Sequence, residues 1–148
     1  MSNPSRVSAA AITLIKSHEG VRSRAYRCPA NVLTIGVGHT GPDVKEGAVW
    51  TDVQIDAALK ADLSRFERGV VRLIGTAKTS QAQFDAMVSL AFNIGLGNFT
   101  KSSVLANHLN GRHQSATAAF HLWNKGGGRV LPGLVTRRAS EARLYASG

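Results

Sequence analysis

The sequence predicts an α+β domain that is mainly α. Apolar residues recur at the 3.6-residue period in successive stretches from Val7 to Ala146. Alternation at a period of two, bounded by turn residues, is confined to one place between Gly20 and Gly38. At 148 residues and 43% apolar composition the chain suits one domain, which buries roughly two-thirds of its unfolded surface. Its one cysteine excludes an intramolecular disulfide.

The first helix is set by Val7, Ala10, Ala11, Leu14 and Ile15 and runs to Glu19, where Gly20 supplies the left-handed position that ends it. Glu19 therefore sits on the last turn, at the negative end of the macrodipole. An ionised carboxylate is disfavoured there by roughly 0.3–1 kcal/mol when exposed. A raised pKa is the expectation, and a carboxyl still protonated near neutrality suits a general acid. Ala25–Arg27 then reads as a strand, 28–31 as a turn and Val32–Ile35 as the returning strand. Period two sends Leu33 and Ile35 to the core and turns Thr34 towards a cleft. Gly36 and Gly38 remove side chains where a ligand would approach backbone.

Residues 41–47 have loop composition. Thr51-Asp52-Val53-Gln54 is a capping box. It opens a long helix whose apolar set is Ile55, Ala58, Leu59, Leu63, Phe66, Val70, Val71 and Ile74. Ser80-Gln81-Ala82-Gln83 caps the next helix, where Phe84, Met87, Val88, Ala91 and Phe92 form one stripe and Leu90 and Ile94 a second face. A helix apolar on most of its surface is buried. Asn93, beside Gly95 and Gly97, either caps the backbone or reaches ligand. Ser102-Ser103 opens a short helix through Leu109, and Gln114–Trp123 forms another with Ala118, Ala119, Leu122 and Trp123 inward, Trp123 being core or a sugar platform. Residues 125–129, KGGGR, read as a mobile loop before the turn at Leu131-Pro132-Gly133, and the last helix runs to Ala146.

The net charge of +9 points to an anionic partner: nucleic acid, anionic lipid or an envelope polymer. The basic residues are not interleaved with aromatics in a nucleic-acid motif, so none is expected. The apolar run Val7–Ile15 is too short for a span and lacks a cleavage site, so neither signal peptide nor anchor is expected. No His, Cys and carboxylate cluster has ligand spacing, so no metal or cofactor is expected.

One stretch is more specific. Glu19, eight residues, Cys28, five residues, Thr34, then Ile35-Gly36-Val37-Gly38-His39, resembles the active-site signature of the phage-type lysozymes, glycoside hydrolase family 24. The resemblance is strongest over 15–40, clear over 90–103 and compositional at the C-terminal helix. It implies a two-lobed lysozyme-like domain. A hairpin lobe would span about 20–50, a long helix would connect, and a helical lobe would take about 76–148 plus the N-terminal helix, with no separate wall-binding domain. The implied activity is an endolysin that hydrolyses the β-1,4 bond between N-acetylmuramic acid and N-acetylglucosamine in peptidoglycan.

In that reading Glu19 is the acid, and Cys28 stands where the family usually has Asp. An inverting glycosidase ordinarily holds a second carboxylate roughly 6.5–9.5 Å away, with room for water. A thiol near its reference pKa of about 8.5 is mostly uncharged at neutrality. Arg24 and Arg27 are close enough in sequence to lower it, unless the strand turns them away. Cys28 orients the attacking water with Thr34, or attacks the sugar covalently, or is a spacer. The resemblance also puts Gly38, Thr40, Phe92, Asn93 and Ser102 at the substrate, and gives His39 a supporting salt bridge in the hairpin lobe, with His18 structural. It implies a monomer without a leader, waiting in the host cytoplasm until a separate holin opens the membrane. Two competitors remain: a lytic transglycosylase, and a cationic membrane-active protein working through the basic residues around Arg137, Arg138 and Arg143.

Overall fold

The computed structural model describes residues 2–148. Seven helices and five short strands follow one another among them. They are α1 (Ala9–Glu19), β1 (Arg22–Arg27), β2 (Leu33–Gly36), β3 (His39–Thr40), α2 (Asp52–Ile74), α3 (Gln81–Ile94), α4 (Leu96–Lys101), α5 (Ser103–Leu109), α6 (His113–Ala119), β4 (Lys125–Gly126), β5 (Arg129–Val130) and α7 (Pro132–Ala146). The architecture is mainly α with two small antiparallel sheets. The chain divides into two compact units, Ile15–Arg65 and a larger one made of Phe66–Gly148 with the N-terminal segment up to Leu14.

In the smaller unit the sheet has the order β1-β2-β3. β2, the central strand, is buried at both Thr34 and Ile35, which point to opposite faces. The expected hairpin therefore gains a third strand and a longer first one, interrupted by an irregularity between Arg22 and Tyr26. Ile35, Val37, Val44, Ile55, Leu59 and Leu63 form the core with Ile15. Gly36, at φ +68°, packs against α2, where a Cβ would stand in ordinary contact with Ile55 Cγ2 at 3.4 Å. α2 begins as its sequence requires: Thr51 N–H donates to Gln54 Oε1 at 2.8 Å and Gln54 N–H to Thr51 Oγ1 at 3.2 Å.

The larger unit is built on α3, whose residues Gln83–Ala91 are all buried. Its capping box is present at Ser80 and Gln83. The sequence pattern did not announce the buried polar groups here. Asp85 accepts Ser8 N–H at 3.0 Å, the Ser8 hydroxyl, and Gln81 Nε2 at 2.8 Å. His108 is sealed between Thr79 and Tyr145, with Nε2 2.8 Å from Thr79 Oγ1 and Nδ1 2.6 Å from the Tyr145 hydroxyl. The Thr79 hydroxyl donates to the Ala77 carbonyl, so Nε2 carries the ring proton and Tyr145 O–H donates to Nδ1. Burial, then the charge of His113, pulls His108 down to about 4.

Several expectations are corrected. Val7 precedes α1 and Ala10 is exposed, so the buried stripe rests on Ala11 and Ile15. Val71 is exposed on α2. The run 114–123 tightens into a 3-10 turn at Phe120–Leu122, which turns Phe120 inward and leaves Leu122 68% exposed, with Ala118 exposed as well. Trp123, which ends that turn, is half-buried. The glycine run at 126–128 does not make a loose loop. Gly127 (φ +59°) and Gly128 (φ +78°) form the tight turn of the β4–β5 hairpin, a conformation that asks for positive φ at both positions. Arg137 and Arg138 are buried beside Glu141, so they offer no cationic surface. Among the described residues no helix is long and apolar enough to cross a membrane.

Candidate active site

Glu19 is the last residue of α1 because Gly20, at φ +78°, turns the chain out of the helix. The Gly20 N–H closes the final turn on Lys16 O at 2.9 Å. Glu19 is half-buried, and the backbone of Gly38 lies against its carboxylate: a Cβ built on Gly38 would stand 3.4 Å from Glu19 Oε2. Gly38 also has φ +69°. The torsion is what asks for glycine here, and a Cβ would sit in ordinary contact with the carboxylate.

Thr34 pairs with Tyr26 on one side and Thr40 on the other, and residues opposite each other share a face of the sheet. Thr34 is only 4% exposed, and its hydroxyl donates to Val32 O at 2.9 Å. The expected open, cleft-facing threonine is in fact a covered one. Cys28 opens the turn, its N–H bonding Val32 O at 3.0 Å and its carbonyl accepting Asn31 N–H at 2.7 Å, with Asn31 at φ 62°. The thiol is half-buried, and its pKa is lowered, chiefly by the Val32 backbone, then by the Ala30 backbone and the Thr34 side chain. The cause is not the guanidinium groups. Arg27 is turned to Glu46 (3.2 Å) and the Asn31 carbonyl (3.2 Å), and Arg24 pairs through its backbone with Val49.

His39 ties this region together. Nδ1 lies 2.7 Å from Asp62 Oδ2 on α2, Nε2 lies 2.9 Å from Asp43 Oδ2 in the following loop, and Trp50 packs on the ring at 5.4 Å. Burial pulls the imidazolium down, but Asp62 and Asp43 outweigh it and the pKa is raised. The sign follows from the direction. The stabilisation is fully present below the unfolded value near 6.5 and is lost as pH rises through the higher folded value. Thermal unfolding at about pH 6 and about pH 9 should show the wild type losing on the order of 1–2 kcal/mol. Asp62→Asn should start lower and change less, and an equal loss in the variant would remove His39 as the cause. The salt bridge was expected from the resemblance. Its partner Asp62 was not, since a contact between residues so far apart in sequence leaves no local mark.

The remaining sequence-derived candidates lie in the larger unit. Phe92 is half-buried, edge-on to Phe66 with ring centroids 5.3 Å apart. Asn93 is exposed, and Gly95 N–H closes the helix end on Ala91 O without it. Ser102 is 3% exposed and is the N-cap of α5: its hydroxyl donates to Phe99 O at 2.7 Å and accepts Leu105 N–H at 3.2 Å. Its hydrogen-bonding capacity serves the fold. Glu19 with Gly38, and Cys28 with Thr34 and Thr40, are the groupings within the smaller unit. Among the described residues no cluster of His, Cys, Asp or Glu could hold a metal ion.

Residues 16–141 match the phage lysozyme family. The endolysin of Bacillus phage PZA is 45% identical over 145 residues, covering 97% of this chain and 56% of that protein. The endolysin of Acyrthosiphon pisum secondary endosymbiont phage 1 is 38% identical over 148 residues, covering 95% of this chain and 98% of that protein. The muramidase domain of SpmX from Asticaccaulis excentricus has the same fold, with a TM-score of 0.87, 40% identity and coverage of 95% of this chain and 97% of that one. The chain spans about half the length of the Bacillus phage endolysins it matches. With the signature at 19–39 seated on one small unit and the match running from 16 to 141, this chain belongs to the phage lysozyme family.

Proposed function

We propose that this chain is an endolysin, a muramidase that hydrolyses the β-1,4 bond between N-acetylmuramic acid and N-acetylglucosamine in bacterial peptidoglycan. The observation that carries the reading is the carboxylate of Glu19, placed at a helix end and beside the bare backbone of Gly38. Glu19 gives its proton to the glycosidic oxygen as the C1–O bond breaks, and the bonding pair leaves with that oxygen. Positive charge develops at C1. Water attacks C1 from the opposite face, oriented by Cys28, whose sulfur the Thr34 side chain supports; it gives one proton to the Cys28 thiolate and leaves a reducing end. The lowered thiol pKa supports this use of Cys28, because a larger thiolate fraction accepts a hydrogen bond from water and offsets positive charge better than a thiol. Gly38 and Thr40 are the substrate-contact candidates of the smaller unit, and Phe92 and Asn93 those of the larger one, where Ser102 serves by capping α5.

The partners in this reading are peptidoglycan and the anionic polymers of the envelope. The protein acts as a monomer and reaches the wall after a separate holin opens the host membrane. Purified protein on bare peptidoglycan tests the chemistry. Cys28→Asp should keep activity within about tenfold of wild type, whereas Cys28→Ser and a thiol-alkylated wild type should fall by about 10–100-fold. Full activity in the serine variant and the alkylated protein would reduce Cys28 to a spacer. Mass spectrometry of the products should find water-added reducing ends, and 1,6-anhydromuramic ends would replace hydrolysis by lytic transglycosylation.

A further inference from the structure

The basic excess is not spread evenly. In the larger unit every Lys and Arg except the buried Arg137 and Arg138 is exposed. Its three carboxylates, Glu67, Asp85 and Glu141, are half-buried, buried and buried. No exposed side-chain carboxylate lies on this unit among the described residues, whereas the smaller unit exposes Asp43, Glu46 and Asp52 beside its basic groups.

At one place the cationic surface also presents large apolar side chains. Leu122 is 68% exposed, Val130 54%, Leu131 41% and Val135 40%, all within or beside the β4–β5 hairpin. The segment is ordered by its own bonds. Lys125 pairs with Val130, which puts both side chains on one face, and Leu131 N–H donates to Asn124 O at 3.0 Å. Leu131 lies over Gly126, where a Cβ would stand 2.6 Å from Leu131 Cδ1, and Val135 N–H donates to Leu131 O at 3.0 Å. Single exposed apolar residues need no explanation. Four around one ordered hairpin, Val130 with Lys125 on one of its faces and Leu131 with Arg129 on the other, and no acid between Leu122 and Val135, combine the two attractions of a membrane-interface element: apolar area, and cations for phosphate headgroups.

We propose that the β4–β5 hairpin, with Leu122 before it and Leu131 and Val135 after it, is a docking surface for an anionic phospholipid bilayer. The apolar side chains enter the headgroup boundary, and Lys125 and Arg129 bind lipid phosphates. A soluble polyanion would satisfy the charges but leave the apolar side chains in water, which is why lipid is the better-fitting occupant. The inference goes beyond the hydrolase reading and does not depend on it, since vesicles contain no peptidoglycan.

The test is co-sedimentation with vesicles of phosphatidylglycerol and phosphatidylcholine against phosphatidylcholine alone, together with the fluorescence of Trp123 in a Trp50→Phe background. Binding to the anionic vesicles, with a blue shift of Trp123, is expected. Lys125→Glu/Arg129→Glu should lower the partition coefficient by about 30-fold or more, and Leu122→Ser/Val130→Ser by about tenfold. These side chains are exposed, so both double variants should fold. Absence of binding would overturn the proposal. So would binding that about 0.5 M salt abolishes and Leu122→Ser/Val130→Ser leaves unchanged, because charge alone would then explain it and a phosphate polymer would fit equally well.

Discussion

Glu19→Gln should lower the rate of peptidoglycan hydrolysis by about 10²–10⁴-fold, the range that a lost general acid removes. The amide keeps the shape and the place beside Gly38 but has no acidic proton to give. The loss should fall on kcat, with KM little changed, since the interaction removed is made in the transition state. A second substrate sharpens the test. On a muramic acid glycoside with an activated aryl leaving group, departure needs less protonation, so the deficit of Glu19→Gln should shrink by at least tenfold. A deficit equal on both substrates would mean that Gln disturbs the site and does not merely remove an acid. Full activity of Glu19→Gln on peptidoglycan would end the hydrolase reading.

The place of Glu19 at a helix end was legible in the sequence because two local rules converge on it: an apolar period ends there, and a glycine follows. The capping boxes at Thr51 and Ser80 were legible for the same reason, each being complete within four residues. What escaped depends on partners distant in sequence or on the competition between two local preferences. Gly38 read as a place where ligand approaches backbone, and that Glu19 is the side chain beside it could not be read, because the two are nineteen positions apart. Thr34 was set opposite Ile35 by period two, yet it is covered between its cross-strand neighbours Tyr26 and Thr40, and the second of these belongs to a strand of two residues that could not be read. The glycines at 127 and 128 read as slack, whereas two consecutive positive φ values make a hairpin turn. At Leu122 the helical period pointed inward, but the chain tightens to 3-10 one turn earlier and rotates that side chain out.

The largest misreading concerned charge, and it leads to the largest expected effect on stability. Arg137 and Arg138 look like surface cations in sequence, yet Glu141 holds both. Arg138 Nε lies 2.7 Å from Oε1 and Arg137 Nε 3.2 Å from Oε2, while the Ser89 hydroxyl donates to Oε2 at 2.5 Å. Arg137 Nη2 also reaches the Ser89 carbonyl at 3.3 Å, and Arg138 Nη1 the Trp123 carbonyl at 3.3 Å. Burial pushes the Glu141 carboxyl up, against the pull of Arg138 and then Arg137. Removing the carboxylate leaves two guanidinium groups in the core with no counter-charge. Glu141→Leu should therefore cost about 3–5 kcal/mol, the usual loss when one partner of a buried ion pair is deleted. That is a large part of the 5–15 kcal/mol typical of a whole domain, roughly. Replacing all three residues together, Arg137→Met/Arg138→Leu/Glu141→Leu, should cost much less, because the desolvation of three charges disappears along with their attraction. Urea midpoints of the single and triple variants decide it. If the triple variant lost as much as the single one, the network would be contributing through its hydrogen bonds to Ser89 and Trp123, which link α3 and the 3-10 turn to α7, more than through charge pairing.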